Sequence, residues 1–191
     1  MPPFFLKYSK LKNSKLKKKF KHLSQCHWSP GFFVLFFALC CPGGPCLAAT
    51  SAQEVFSARV IKVVDGDSLE LIHKGKKLRV RLWGIDSPEW QQEFSQKALA
   101  YTRNRIQGQV VEVQPRTWDK YGRLVAIVKV GGVSLNEDLL TEGLAWVHIY
   151  YCKEPICREW RQLEQEARIA RRGLWQCNAP IAPWQWKRGH K

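Results

Sequence analysis

The chain has 191 residues, 45% of them apolar and 12% aromatic, which is enough for one compact core and excludes a disordered polar chain. Its formal net charge is +15, a balance that suits a polyanionic partner such as nucleic acid or an anionic membrane surface. The charge is uneven: residues 1–52 hold eight lysines and no acid, which leaves 23 basic against 16 acidic residues, or +7, in the remainder.

Residues 1–52 read as a leader segment. "KYSKLKNSKLKKKFKHL" is a cationic opening, "FFVLFFALCC" (Phe32 to Cys41) an apolar run, and "CLAATSA" a set of small residues suited to a signal peptidase. The apolar run falls short of the roughly 20 residues a membrane span needs, and Pro42-Gly43-Gly44-Pro45 closes it. Cleavage after Ala48, Ala49 or Ala52 and export to the periplasm or medium are expected, with membrane contact through the leader alone. Four of the seven cysteines lie in this segment. Of the others, Cys152 and Cys157 can close a short disulfide loop in an oxidising compartment, which leaves Cys177 odd.

The elements that follow are short. "VFSARVIKVV" (Val55 to Val64) is rich in β-branched residues and predicts a strand. Asp65-Gly66 is a turn signal, and "SLELI" alternates as the returning strand. After the "HKGKK" turn, "LRVRLWGI" (Leu78 to Ile85) alternates again. A helix is expected over Gln92 to Ile106, with Phe94, Ala98, Tyr101 and Ile106 near one face. "VVEVQP" and "RLVAIVKV" are two more strands, joined by "RTWDKYG". "SLNEDLLTEG" predicts a short helix capped by Ser134, with Glu137 completing a capping box and Gly143 just past its end. The last helix is expected from about Pro155 to Arg172, burying Trp160, Leu163, Ala167 and Ala170, with Glu164 and Arg168 paired one turn apart. Residues 53–177 thus form one domain, and residues 178–191, with two prolines, a loose tail. Three strands, a helix, two strands and two helices suit an α+β fold built on a small closed barrel of the OB type, whose face and loops commonly carry nucleic acid.

Four pieces carry chemistry: "DGDS" (Asp65 to Ser68), "RLWGIDSPEW" (Arg81 to Trp90), "DKYGR" (Asp119 to Arg123) and "WVHIYYCK" (Trp146 to Lys153). The Asp-Gly turn accounts for Asp65, but Asp67 opens a strand, where Asp is disfavoured. If the second and third strands pair, Asp67 and Asp86 meet across the sheet. Two carboxylates sharing a pocket repel, so one binds a proton unless a cation intervenes. A hard divalent ion such as Ca²⁺ takes six to eight oxygens, and two carboxylates leave room for a carbonyl, water and a substrate phosphate. The fragment is no EF-hand, because Lys76 stands where that loop needs a glutamate. Arg81 and Arg123 can meet phosphate oxygens bidentately. Glu89, three residues past Asp86, can serve as a general base. Singly, Arg81 reads as a surface ion pair, Arg123 as a turn-flanking charge and Glu89 as a helix N-terminal acid; together they point to phosphoryl chemistry.

"VVDGDS", "RLWGIDSPE" and "DKYGR", in this order, resemble staphylococcal nuclease and its thermonuclease relatives over about Val55 to Trp175. The resemblance implies a five-stranded OB-type β-barrel with three α-helices. It also implies calcium-dependent hydrolysis of phosphodiester bonds in DNA and RNA, with 3′-phosphate ends. By motif position Asp67 and Asp86 look like calcium ligands, with Ser87 contributing its backbone carbonyl where the prototype has Thr. Arg81, Glu89 and Arg123 look like the catalytic trio, Lys120 and Tyr121 like phosphate contacts, and Tyr151 like a substrate-facing tyrosine. Two departures stand out. The loop after Glu89 is shorter than in the prototype and lacks its lysine contact, and Ile149 and Tyr150 shift the aromatic run. The expected partners are DNA and RNA, with a monomeric chain and no obligate protein partner. A barrel that merely binds nucleic acid could dispense with the acids; here the acids and both arginines remain.

Overall fold

The computed structural model describes residues 54–189; the leader and its cleavage sites lie outside the described residues. Eight strands and four α-helices follow one another: β1 (Phe56–Val63), β2 (Ser68–His73), β3 (Lys76–Leu82), β4 (Ile85–Asp86), α1 (Ser95–Ile106), β5 (Val110–Trp118), β6 (Leu124–Val130), β7 (Val133–Ser134), α2 (Leu135–Thr141), β8 (Trp146–Val147), α3 (Ile156–Ile169) and α4 (Pro183–Gly189), with a 3-10 turn at Gly173–Gln176. The main sheet runs β3-β2-β1-β5-β6-β7, and a parallel pairing of β3 with β6 closes its first five strands into a barrel. This is the expected α+β, OB-type five-stranded barrel. Closure leaves no free edge on those strands.

Alternation explains the barrel. Along β1 the residues Ala58, Val60 and Val63 turn inward while Arg59 and Lys62 face out, and β2, β3, β5 and β6 add Leu69, Leu71, Val80, Leu82, Val111, Val113, Leu124, Ala126 and Val128 to the same core. Each valine or leucine among them, fully buried, contributes about 1.5–3 kcal/mol. A bulge between Val60 and Lys62 and another between Pro115 and Thr117 bend the strands into the closed form. α2 and α3 cover one end, where Trp83 and Trp160 meet edge to face at 5.5 Å.

Four local expectations are revised. The single strand expected over Leu78 to Ile85 breaks at Gly84, and β4 leaves the barrel to pair with β8. Gly84 has φ +72°, and a Cβ there would lie 2.8 Å from the Trp160 ring and 3.0 Å from Cys152 Sγ, so only glycine lets the chain turn under α3. The first helix starts at Ser95 rather than Gln92, because Phe94 takes a left-handed conformation at φ 67°. α3 stops at Ile169, leaving Ala170 exposed, and Cys157 and Glu164 fill out its buried face beside Trp160 and Ala167. The tail is helical over Pro183–Gly189 and buries Ala182 against Trp146 and Trp175, so it is not loose.

Other expectations stand. Ser134 caps α2 by accepting the Glu137 amide at 3.4 Å, Gly143 follows with φ +64°, and Glu164 pairs with Arg168 at 2.8 Å. The expected capping box is only half made, because the Glu137 carboxylate accepts the Trp160 indole N–H at 3.1 Å instead of the Ser134 amide. Cys152 and Cys157 form a disulfide with their Cα atoms 5.6 Å apart, and Cys177 is free.

Candidate active site

The β1–β2 turn places the first acid. Asp65 accepts the Asp67 amide at 3.0 Å, and Thr102 on α1 donates to the Gly66 carbonyl at 2.8 Å, which ties the turn to α1. Asp67 is thereby carried inward, with 2% of its surface exposed, rather than sitting at a solvated strand edge. Its Oδ2 accepts the Ser87 amide at 2.7 Å and its Oδ1 the Ser68 hydroxyl at 3.2 Å. Gly66 is required for this approach: a Cβ there would stand 2.4 Å from Ser87 Oγ and 2.9 Å from Ala98 Cβ.

The break at Gly84 brings the second acid back toward the first. Asp86, 1% exposed, ends β4. Arg81 reaches both acids: its Nη1 lies 2.9 Å from Asp67 Oδ1, and its Nη2 donates to Asp86 Oδ1. Asp67, Arg81, Asp86 and Ser87, proposed from sequence as parts of one site, thus converge in one buried cluster.

The charges do not balance. Burial, then Asp67, pushes Asp86 from its ordinary 3.8 up to about 7, against the pull of Arg81 and Lys187. Burial, then Asp67 again, pushes Asp65 up to about 6. Burial works against the Arg81 charge, but Asp67, Asp86 and Asp65 outweigh it and hold the guanidinium above its usual value. Three carboxylates face one guanidinium, and the available donors are all oxygens. Such a set fits a hard divalent cation and not a thiolate- or imidazole-seeking one. Among the described residues no group of three or more His, Cys, Asp and Glu side chains is arranged to hold a metal ion by itself.

A cleft of about 230 Å³ opens beside the cluster, and its lining includes Asp65, Asp67, Ser87 and Glu89 together with Val64, Pro88, Trp90 and Leu99. Glu89 lies on its wall, its amide donating to Gln92 Oε1 at 3.0 Å and its carboxylate 2.7 Å from Lys187 Nζ on α4. Trp90 stands 71% exposed at the rim.

The β5–β6 turn carries the other arginine. Asp119 organises it, accepting the Tyr121 and Arg123 amides at 2.9 Å each and the Arg123 Nε–H at 2.7 Å. Burial opposes the Asp119 charge, but these bonds outweigh it and lower the carboxyl below its usual range. Arg79 on β3 donates to the Tyr121 carbonyl at 2.6 Å. The parallel register sets Arg81 opposite Val125, so the turn that holds Arg123, just before β6, lies beside the strand that carries Arg81. Lys120 and Arg123 both approach the exposed Tyr121 ring, at 5.1 Å and 5.6 Å.

Tyr151 belongs to a separate aromatic group. It is 72% exposed and 4.5 Å from the His148 ring, which also meets Tyr150 at 5.9 Å and Trp184 of α4 at 5.2 Å. Burial, then the Arg81 charge, holds His148 below its ordinary value.

Three residues of the site carry little signal in the sequence. The Asp-Gly turn already explains Asp65. Asp119, which holds Arg123, is one residue of a short motif. Lys187 lies in a proline-containing tail, where a basic residue after two tryptophans is the available signal.

A family described as "Staphylococcal nuclease homologue" matches residues 79–177. An uncharacterized endonuclease of Escherichia coli O157:H7 is 34% identical over 130 residues, covering 68% of this chain and 83% of that one. An uncharacterized endonuclease of Haemophilus influenzae is 34% identical over 141 residues, covering 73% of this chain and 78% of its own length. A micrococcal nuclease of Shigella flexneri is 33% identical over 154 residues, covering 76% of this chain and 88% of its own.

Proposed function

This chain belongs to the staphylococcal nuclease family and is a phosphodiester-hydrolysing nuclease, and from that premise we propose that it cuts DNA and RNA with calcium, leaving 3′-phosphate ends. One observation carries the reading: the buried Asp67 and Asp86 and the half-buried Asp65 cluster around a single guanidinium, and Glu89 lies on the wall of the adjoining cleft. Asp67, Asp86 and the Ser87 backbone carbonyl would hold the ion, which when bound supplies a Lewis acid for a phosphate oxygen.

The chain's own groups do the rest. Glu89 takes the proton of the attacking water once its exposed contact with Lys187 is exchanged. A guanidinium has five donors, so Arg81 can serve its two carboxylates and still reach a phosphate oxygen. Arg81 and Arg123 offset the charge that develops around phosphorus, Arg123 on the side of the departing 5′-oxygen. Lys120 and Tyr121 bind the nucleotide phosphate, and Tyr151 faces the substrate.

Digestion of single-stranded DNA and of RNA in calcium, repeated with a chelator and followed by end-group analysis, tests the reading. Cleavage in calcium, none in chelator and 3′-phosphate ends are expected; equal rates with and without chelator refute it. Export through the leader is part of the proposal. The Cys152–Cys157 disulfide supports an oxidising compartment, and N-terminal sequencing of the mature protein should begin near residue 49, 50 or 53.

A further inference from the structure

We infer that α4 is part of the substrate site and that Lys187 is a phosphate-binding residue, holding the backbone phosphate that lies next to the scissile one on the Glu89 side. The inference rests on the polynucleotide substrate proposed above.

The cleft has a defect as a site for a polyanion. Its lining includes Asp65, Asp67 and Glu89 and no lysine or arginine. Arg81 and Arg123 serve the scissile phosphate in that reading, and neither lines the cleft at Glu89. A strand passing Glu89 would therefore meet negative charge there. Lys187 supplies the missing cation, with its Nζ 2.7 Å from Glu89 Oε1.

The tail is built to put it there. Gln92, which also accepts the Glu89 amide, donates to the Ile181 carbonyl. Ala182 is buried with Trp146 and Trp175, and Trp184 packs on His148 at 5.2 Å. These contacts fix α4 from the other side of the helix start. The ion pair is not what holds the tail, because Lys187 is 49% exposed and exposed pairs contribute little. Being weak, the pair is easily exchanged: an arriving phosphate takes the ammonium and frees the Glu89 carboxylate for water. Lys187 thus serves first to offset the charge of Glu89 and then to seat the substrate.

The test compares the wild-type chain with Lys187→Ala and Lys187→Arg in calcium. Steady-state kinetics are measured on a single-stranded oligonucleotide and on a mononucleotide p-nitrophenyl diester, which has no neighbouring phosphate. Oligonucleotide affinity is measured against salt. Lys187→Ala should raise KM for the oligonucleotide more than for the small diester. It should also shallow the plot of log affinity against log salt by about 0.7, the value of one phosphate contact on a single strand. Lys187→Arg should restore both. An unchanged salt slope, equal effects on the two substrates, or faster oligonucleotide cleavage by Lys187→Ala would overturn the inference, the last because it marks Lys187 as a brake on Glu89. If the wild-type chain cleaves nothing, the function reading fails, yet the salt slopes still decide whether Lys187 contacts phosphate.

Discussion

Asp86→Asn separates two opposing forces at the centre of the site. Arg81 attracts the Asp86 carboxylate, whereas burial and Asp67 penalise its charge, and the balance raises Asp86 to about 7. An unfolded Asp titrates near 3.8. Between those values the folded chain binds more protons than the unfolded one, so stability falls as pH rises through the window and the cost is complete above about 7. At about 1.4 kcal/mol per pH unit the cost is on the order of 4 kcal/mol. That corresponds to roughly 10 °C in melting midpoint for a domain of this size. Asn keeps an oxygen for Arg81 and removes the charge. In chelator at pH 7.5, Asp86→Asn should therefore melt well above wild type, and at pH 4 the two should nearly coincide. Calcium should then raise the wild-type midpoint, by mass action on the folded state, and leave the variant where it was. Thermal melts at the two pH values, with chelator and with calcium, read all of this. An Asp86→Asn variant less stable than wild type at pH 7.5 in chelator would mean that attraction to Arg81 wins, and the case for a charge-starved cation site would collapse.

Glu89→Gln should lower the rate by about 10²–10⁴, as loss of a general base does, with the melting midpoint nearly unchanged because the Lys187 pair is exposed; a wild-type rate excludes Glu89 from proton transfer. Arg123→Ala should cost about 10²–10³ in kcat, and Asp119→Ala, which removes the three bonds that set the Arg123 turn, should cost a smaller share of it. Full activity in Asp119→Ala would show that the turn orients Arg123 unaided. Gly66→Ala should destabilise by about 1–3 kcal/mol, the usual cost of overpacking, and weaken calcium binding as well, since the added methyl displaces Ser87. Titration calorimetry with calcium checks the second effect, and unchanged affinity would remove Ser87 from the ligand set.

What could be read from the sequence followed from local rules, and what could not followed from contacts made across the chain. The five barrel strands were legible from β-branched enrichment in β1, from alternation of apolar and polar residues in β2 and β3, and as short apolar runs bounded by turns in β5 and β6. β4 and β8 were not, because a two-residue pairing leaves no period, and Gly84 looked like an ordinary strand residue until Trp160 and Cys152 closed over it. Asp67 and Asp86 stood out because a strand has no local use for them. Asp65 did not, because an Asp-Gly turn already explained it. The tail misled for a similar reason. Its prolines suit a loop, but Pro183 opens a helix and Ala182 has a socket between Trp146 and Trp175. A residue with a sufficient local explanation hides its distant one.

The same distinction bears on how the segments carrying the two arginines come together. Arg81 and Arg123 are far apart in sequence, and the parallel pairing that closes the barrel, Val80 with Leu124 and Arg81 with Val125, brings the turn that holds Arg123 to the strand that holds Arg81. Inward positions Val80, Leu82, Leu124 and Ala126 fix that register by their burial. A slip of one residue would send Arg81 into the apolar core and turn Val80 out to water, so burial of the core and placement of the guanidinium are decided together. Arg81 then lies opposite Ser68, next to Asp67, on its other side. The alternation that makes the barrel fold is therefore what sets Arg81 against Asp67, and Gly84 adds the turn that returns Asp86 to it.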